Sequence, residues 1–212
     1  MRIIFTFLLI TCLGRLSAAE TSRDAWLGYF KKTELDQDYS MWVETQLRFN
    51  LESSEMDQTL VRGGVLRRLG SGSQEIGLLY AYIRTGLTKE HRAALQHTMK
   101  YSLLSEKLSH RIRLEYRTLE NSKPLSERFR YLLRFQGAGS IKMGKLVVWD
   151  EIFLNTESFP SNKLDHLDRN RLFIGFRKDF SNLSLEYGYL NQIAPRDSES
   201  VIDHTLVAYF FF

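Results

Sequence analysis

Apolar side chains recur at alternate positions along most of this chain, in segments of about ten residues with polar breaks between them. From Ser40 to Asn50, the residues Met41, Val43, Thr45, Leu47 and Phe49 alternate with Trp42, Glu44, Gln46 and Arg48. From Gln74 to Arg84, Ile76, Leu78, Tyr80 and Tyr82 alternate with Glu75, Gly77 and Ala81. Further on, Leu95, His97, Met99, Tyr101 and Leu103 oppose Arg92, Gln96, Thr98, Lys100 and Ser102. A period of two puts the two sets on opposite faces of a strand. The sharpest case is Arg111 to Arg117, where Arg111, Arg113, Glu115 and Arg117 bracket Ile112, Leu114 and Tyr116. Taken alone, that stretch also reads as an amphipathic helix, because Leu108, Ile112, Tyr116 and Leu119 fall at helical spacing. Its neighbour decides for strand: Phe129, Tyr131, Leu133 and Phe135 fit period two only, with Arg128, Arg130 and Arg134 on the other face.

The breaks are rich in turn formers. Leu69 to Ser73, Gly137 to Ser140 and Phe180 to Asn182 read as tight turns, and Pro124, Pro160 and Pro195 all fall between segments. Regular short strands with regular breaks predict an all-β meander. Its predicted form is an antiparallel up-and-down transmembrane β-barrel. Eleven segments qualify, one too many for an even count. The expectation is therefore an N-terminal segment 20–39 that does not span, followed by a barrel over 40–212 with about ten strands, twelve being the alternative.

Three features favour a membrane barrel over a soluble one. The polar face carries long charged side chains, mostly arginine. Aromatic residues fall toward segment ends (Tyr39, Phe49, Tyr101, Phe135, Phe153, Tyr189), as interfacial girdles require. The chain closes on Tyr209-Phe210-Phe211-Phe212, with Phe210, Ala208 and Leu206 at alternate positions before the last Phe. That ending is similar to the sorting signal of bacterial outer-membrane barrels. It implies two partners, the lipid bilayer and the outer-membrane assembly machinery that would engage Phe212. The shorter breaks follow Leu69, Leu104, Gln136 and Lys178, which puts those turns and the C-terminus on the periplasmic side.

The N-terminus supplies the route. Arg2 followed by the apolar run Ile3 to Ile10 and the small residues Ser17-Ala18-Ala19 reads as a signal peptide over residues 1–19, cleaved before Glu20. A lipoprotein signal at Leu9 to Cys12 is the weaker alternative, since Thr11 is a poor residue before a lipidated cysteine. Cleavage removes Cys12, the single cysteine of the chain, so the exported part has no disulfide and no thiolate chemistry. The expected location is the bacterial outer membrane. A net charge of +4 spread along 212 residues, without a basic helix face, excludes nucleic acid as the partner.

Candidate chemistry is sparse. Barrel enzymes that modify lipids use a Ser–His dyad, and here none of His91, His97, His110, His166 and His204 has a serine two residues on, nor is there a Gly-x-Ser-x-Gly. A non-enzyme is expected. His166 with Asp165 and Asp168 is too short a cluster to support a metal site, and no cofactor is called for. The strong constellation is the charged face itself. Arg92, Lys100, Arg111, Arg113, Arg117, Arg128, Arg130, Arg134 and Arg171 are expected to point into the lumen, with Arg62 and Arg177, against Glu115, Glu151 and Glu186, with Glu44. Two uses are open. An Arg–Glu lattice can fill a narrow barrel as structure, or the excess of guanidinium groups can favour anions in a pore. Opposed arginines of the Arg111–Arg117 and Arg128–Arg134 hairpin repel, so Glu115 and Glu151 are expected between them.

Several of these segments together resemble a family. They are the Trp26 region, Glu44 to Phe49, Leu79 to Tyr82, the residues Glu90, Arg92 and Gln96, Arg111 to Arg117, Arg128 to Arg134, Asp168 to Arg171, and Glu186 to Gln192. The chain is similar in them to the bacterial "domain of unknown function 2490" proteins, with Tyr116 departing from the glutamine expected there. The resemblance implies an exported outer-membrane-type β-barrel and brings no activity with it.

Overall fold

The structure, a computed structural model, describes residues 20–70, 72–103, 106–120, 126–156, 166–195 and 200–212. The predicted signal peptide at 1–19 and Asp165 lie outside these. The described residues form eleven strands and no helix. They are β1 (Glu20–Glu34), β2 (Tyr39–Asn50), β3 (Glu55–Leu69), β4 (Gln74–Thr85), β5 (Thr88–Leu103), β6 (Glu106–Leu119), β7 (Ser126–Ile141), β8 (Gly144–Asn155), β9 (Leu167–Asp179), β10 (Ser184–Pro195) and β11 (Ser200–Phe211). Each pairs with the next in an antiparallel ladder, and β1 pairs with β11 in parallel, so the sheet closes into a barrel.

The count corrects the expectation of ten. Residues 20–34, expected outside the wall, form a strand of it. The alternation continues there: Trp26, Gly28 and Phe30 are buried while Leu27 and Tyr29 are exposed. The strand also has a task that only closure creates. Without it, the edges of β2 and β11 would present unpaired N–H and C=O groups. Parity holds only when the first and last strands run antiparallel; the register Trp26↔Val207 is parallel. An odd meander thereby puts Glu20 at the opposite end of the barrel from Phe212.

The connections at the Phe212 end are residues 35–38, 70–73, 104–105, 142–143 and 180–183. At the Glu20 end they are 51–54, 86–87, 120–125, 156–166 and 196–199, so the longest gaps fall there. Connection 86–87 is an exception, a two-residue turn with Gly86 at φ 56°, the left-handed region such hairpins demand of their first central residue. The expected turn at Gly137 to Ser140 is instead a register shift between Gln136 and Ser140 inside β7. Glycine there permits a bulge as readily as a turn.

The polarity of the wall is inverted relative to a soluble barrel. Outward residues are large and apolar in strand after strand: Leu27, Met41, Val65, Leu78, Leu95, Leu114, Ile174 and Leu206 are all exposed, Leu78 at 68% and Leu206 at 62%. Inward residues divide into two zones. Toward the Phe212 end, Trp26, Phe30, Trp149, Phe173 and Tyr209 pack into one cluster with Trp42 and Phe211 against it. Gly175 faces Gly188 across the β9–β10 ladder, and a methyl group at either would collide with the backbone of the other strand. The remaining inward space is charged.

Candidate functional site: the lumenal charge network

All fifteen charged residues expected from the sequence in the lumen sit on inward positions of their strands, and alternation is the reason. What alternation could not supply is the partners. Arg113 and Arg130 are directly opposed in the β6–β7 ladder, and Glu115 opposes Arg128. Glu115, 1% exposed, is the hub. Its Oε2 accepts from Arg128 Nη2 at 2.5 Å and Nε at 3.0 Å, and its Oε1 accepts from Arg130 Nη1 at 2.6 Å. Arg113 lies 3.5 Å and Arg62 3.9 Å from the same carboxylate. Glu151 Oε1 is the second hub, accepting from Arg111 at 2.8 Å and from Arg130 at 2.8 and 3.2 Å. The hairpin repulsion is thus relieved by the two glutamates expected to do so.

The other carboxylates extend the lattice around the wall. Arg134 grips Glu186 with two bonds of 2.8 and 2.7 Å, and the Trp149 indole N–H donates to the same group at 3.3 Å. Glu90 accepts from Arg92 at 2.7 and 2.8 Å and from Arg117 at 2.7 Å. Glu44 takes Arg62 at 2.7 Å. Glu75 takes Lys100 at 3.0 Å and, from across the barrel, Lys32. Charge-assisted bonds of this kind are the strong ones, and burial sharpens their dependence on a partner.

Glu75, Glu90 and Asp168 join the network beyond the residues expected from sequence. Glu75 and Glu90 fall on polar faces and were countable there. Asp168 stands near the start of β9, where a strand boundary hid its phase; its carboxylate accepts from Arg128 and Arg169, each at 2.9 Å. His166, considered beside it, meets the Asn155 carbonyl at 3.2 Å. Among the described residues no group of three His, Cys, Asp or Glu is placed to hold a metal ion.

A barrel of eight strands is just filled by its own side chains, and diameter grows with strand number. Eleven strands leave a cavity of about 840 Å³ inside the lattice. Its lining runs from Gln58, Glu90 and Arg117 near the Glu20 end to Lys107, Arg177 and Asp179 near the Phe212 end. Fifteen lysines and arginines contribute to that lining against six carboxylates.

The model of the family described as "Protein of unknown function (DUF2490)" matches residues 23–202. The chain belongs to this family. No curated protein and no solved structure matches it. The DUF2490 match ends inside β11 and includes the whole inward network from Trp26 to Gln192.

Two lumenal arginines stand apart from the lattice. Arg48 and Arg171 have no carboxylate within 4 Å among the described residues. Arg48 bonds Gln46 at 3.2 Å and stacks over the Trp26 ring at 3.9 Å, its buried Nε without a hydrogen-bond partner. Arg171 lies opposite Glu151 in the β8–β9 register, yet Glu151 is taken by Arg111 and Arg130. Arg171 turns instead to Gln192 Oε1 at 2.7 Å, with its guanidinium 4.9 Å from the Trp26 ring. The alternation places Arg171 and Arg48 on the polar phase of their strands, but only the structure brings them together on Trp26.

Proposed function

We propose that this protein is an outer-membrane β-barrel whose lumen is braced by its own arginine–glutamate lattice and retains room for a small solute. The observation that carries this reading is the inverted wall. Exposed leucines, isoleucines and valines outside and buried guanidinium groups inside are stable together only if the outer surface meets hydrocarbon. In water the same wall would expose apolar area far beyond the few hundred Å² a soluble surface tolerates. The closed ladder satisfies the backbone, and the lattice pairs most of the buried charges of the interior. The Phe212 end, with the shorter connections, is the periplasmic one in this reading, and the segment before Glu20 is the export signal. Separate fractionation of inner and outer membranes, and electrophoresis of the purified protein with and without heating, test it. Recovery in the outer membrane with a heat-dependent mobility is expected; recovery in the soluble fraction would refute it.

A second reading, an anion-preferring pore, is favoured by one observation, the excess of cations over carboxylates along a cavity that runs most of the barrel's length. Planar-bilayer recording separates the two. A braced, solute-holding barrel gives no steady conductance, whereas the pore gives one with a reversal potential on the anion side.

A further inference from the structure

A solute-holding lumen, the reading on which this site rests, has a particular place and a particular chemistry to offer its solute. Each carboxylate of the lattice described above receives at least one guanidinium or ammonium group. Asp24 and Asp203, on the inward phase of β1 and β11, accept instead from Ser22 and Gln192 and have no cation within 4 Å among the described residues, so Arg171 reaches Asp203 only through Gln192. Arg48 and Arg171 are left over. They arrive from strands on opposite sides of β1, Arg48 from β2 and Arg171 from β9, and both come within 5 Å of one indole, that of Trp26. Two like charges on one ring repel, and the burial of Arg171, with Arg48 partly buried beside it, reduces the water that would screen them. Arg171 is 7% exposed. The indole faces offset part of this through cation–π attraction, of order 0.5–2 kcal/mol each, but they supply no negative charge. Arg48 Nε is a buried donor without a hydrogen-bond partner among the described residues, and native interiors rarely keep such a donor without a reason.

The surroundings say what kind of negative charge is missing. The cavity wall beside the pair is aromatic: Phe30, Trp42, Trp149 and Tyr209 line it with Trp26. An inorganic ion would leave that wall without a use. We infer that Arg48 and Arg171, with Trp26 between them, form a binding site for a small organic anion, the oxyanion on the two guanidinium groups and an apolar or aromatic body along the ring-lined wall. Arginine suits the first part because its planar donor fork pairs with carboxylate or phosphate oxygens. The second part follows the general form of small-molecule sites, mostly apolar with a few converging polar groups.

The chain has three tryptophans, and all three, Trp26, Trp42 and Trp149, line the cavity. Intrinsic fluorescence therefore reports on the chamber without a label. The test is a titration of the whole exported chain, refolded in a non-ionic detergent, with benzoate, phenyl phosphate, inorganic phosphate and benzyl alcohol, excited at the red edge of tryptophan absorption. Benzoate or phenyl phosphate should give a saturable change, inorganic phosphate a much weaker affinity, and benzyl alcohol none that saturates. Whichever aromatic acid binds more tightly assigns the oxyanion as carboxylate or phosphate. The double variant R48M/R171M should lose affinity tenfold or more. Neither arginine has a carboxylate within 4 Å among the described residues, so the double variant is expected to refold with the heat-dependent mobility of the parent; R48M alone carries the same test with a smaller loss. An equal response to benzyl alcohol, no saturable response to either acid, or an unchanged affinity in the variants would overturn the proposal. The membrane reading is judged separately by fractionation and heat-dependent mobility, so a barrel that passes those and binds neither acid defeats this site alone.

Discussion

Replacing Glu115 by glutamine keeps the volume of the side chain and removes one buried charge. In the wild type this carboxylate accepts three hydrogen bonds of 3.0 Å or shorter from Arg128 and Arg130 and lies within 4 Å of Arg113 and Arg62. Glutamine offers one acceptor oxygen. Its amide nitrogen, in the place of the other oxygen, is a donor pointed at a guanidinium donor. Hydrogen bonds to charged groups are worth about 1.5–3 kcal/mol each, and removing one member of a buried ion pair destabilises by about 3–5 kcal/mol. With 1.4 kcal/mol per tenfold, the unfolding equilibrium should move by between about a hundredfold and several thousandfold. Glu120→Gln is the control. Glu120 pairs with Lys89 at 2.9 Å, both 44% exposed, and exposed pairs contribute about 0–1 kcal/mol. The assay is equilibrium urea titration of the refolded barrel in vesicles, followed both by tryptophan fluorescence and by the heat-dependent gel band. A Glu115→Gln midpoint no lower than that of Glu120→Gln would show that the lumenal lattice is solvated through the cavity and does not brace the wall.

Three further outcomes are expected. Residues 20–212 carry no cysteine, so single cysteines report topology cleanly; in the proposed membrane orientation E20C and L87C should label with a membrane-impermeant maleimide on intact cells and L35C only after lysis, whereas labelling of E20C and L35C from the same side would reject β1 as a spanning strand and with it the odd-stranded, parallel closure. Gly188→Val should prevent formation of the heat-dependent band, because its side chain meets the β9 backbone at Gly175 and Ile174; a normally folded variant would mean that β9 and β10 lie farther apart than found. Asp150 is a carboxylate on the outward face, hydrogen-bonded to Asn170 at 3.0 Å between otherwise apolar rows, so Asp150→Leu should raise stability in vesicles by up to about 2 kcal/mol, and a loss would indicate that a partner holds this face.

The faces of the strands were legible in the chain because a strand's side-chain period is local. Arg113 and Glu115 point inward for the same reason that Leu114 and Tyr116 point outward, and no distant residue needs consulting. The hairpin of β6 and β7 was legible too, since its two arms are neighbours in sequence and their opposed arginines call for Glu115 and Glu151. Strand number was not. Whether residues 20–34 join the wall depends on whether β1 can seal β2 to β11, a contact between the two ends of the chain. The bulge near Gly137 looks like a turn in the sequence because glycine marks both.

Sequence alone therefore determined the alternating faces of the strands it recognised, and the tertiary structure decided which further residues join them and which of them meet. Arg134 of β7 reaches Glu186 of β10, Lys32 of β1 reaches Glu75 of β4, and Arg171 of β9 reaches Trp26 of β1. None of these pairs lies on adjacent strands. Such meetings depend on the barrel's radius and on the stagger accumulated around all its strands, quantities that no single segment carries. That is why the alternation named Arg171 as one lumenal arginine among many, and only the closed barrel sets it beside Arg48 on the same indole without a carboxylate.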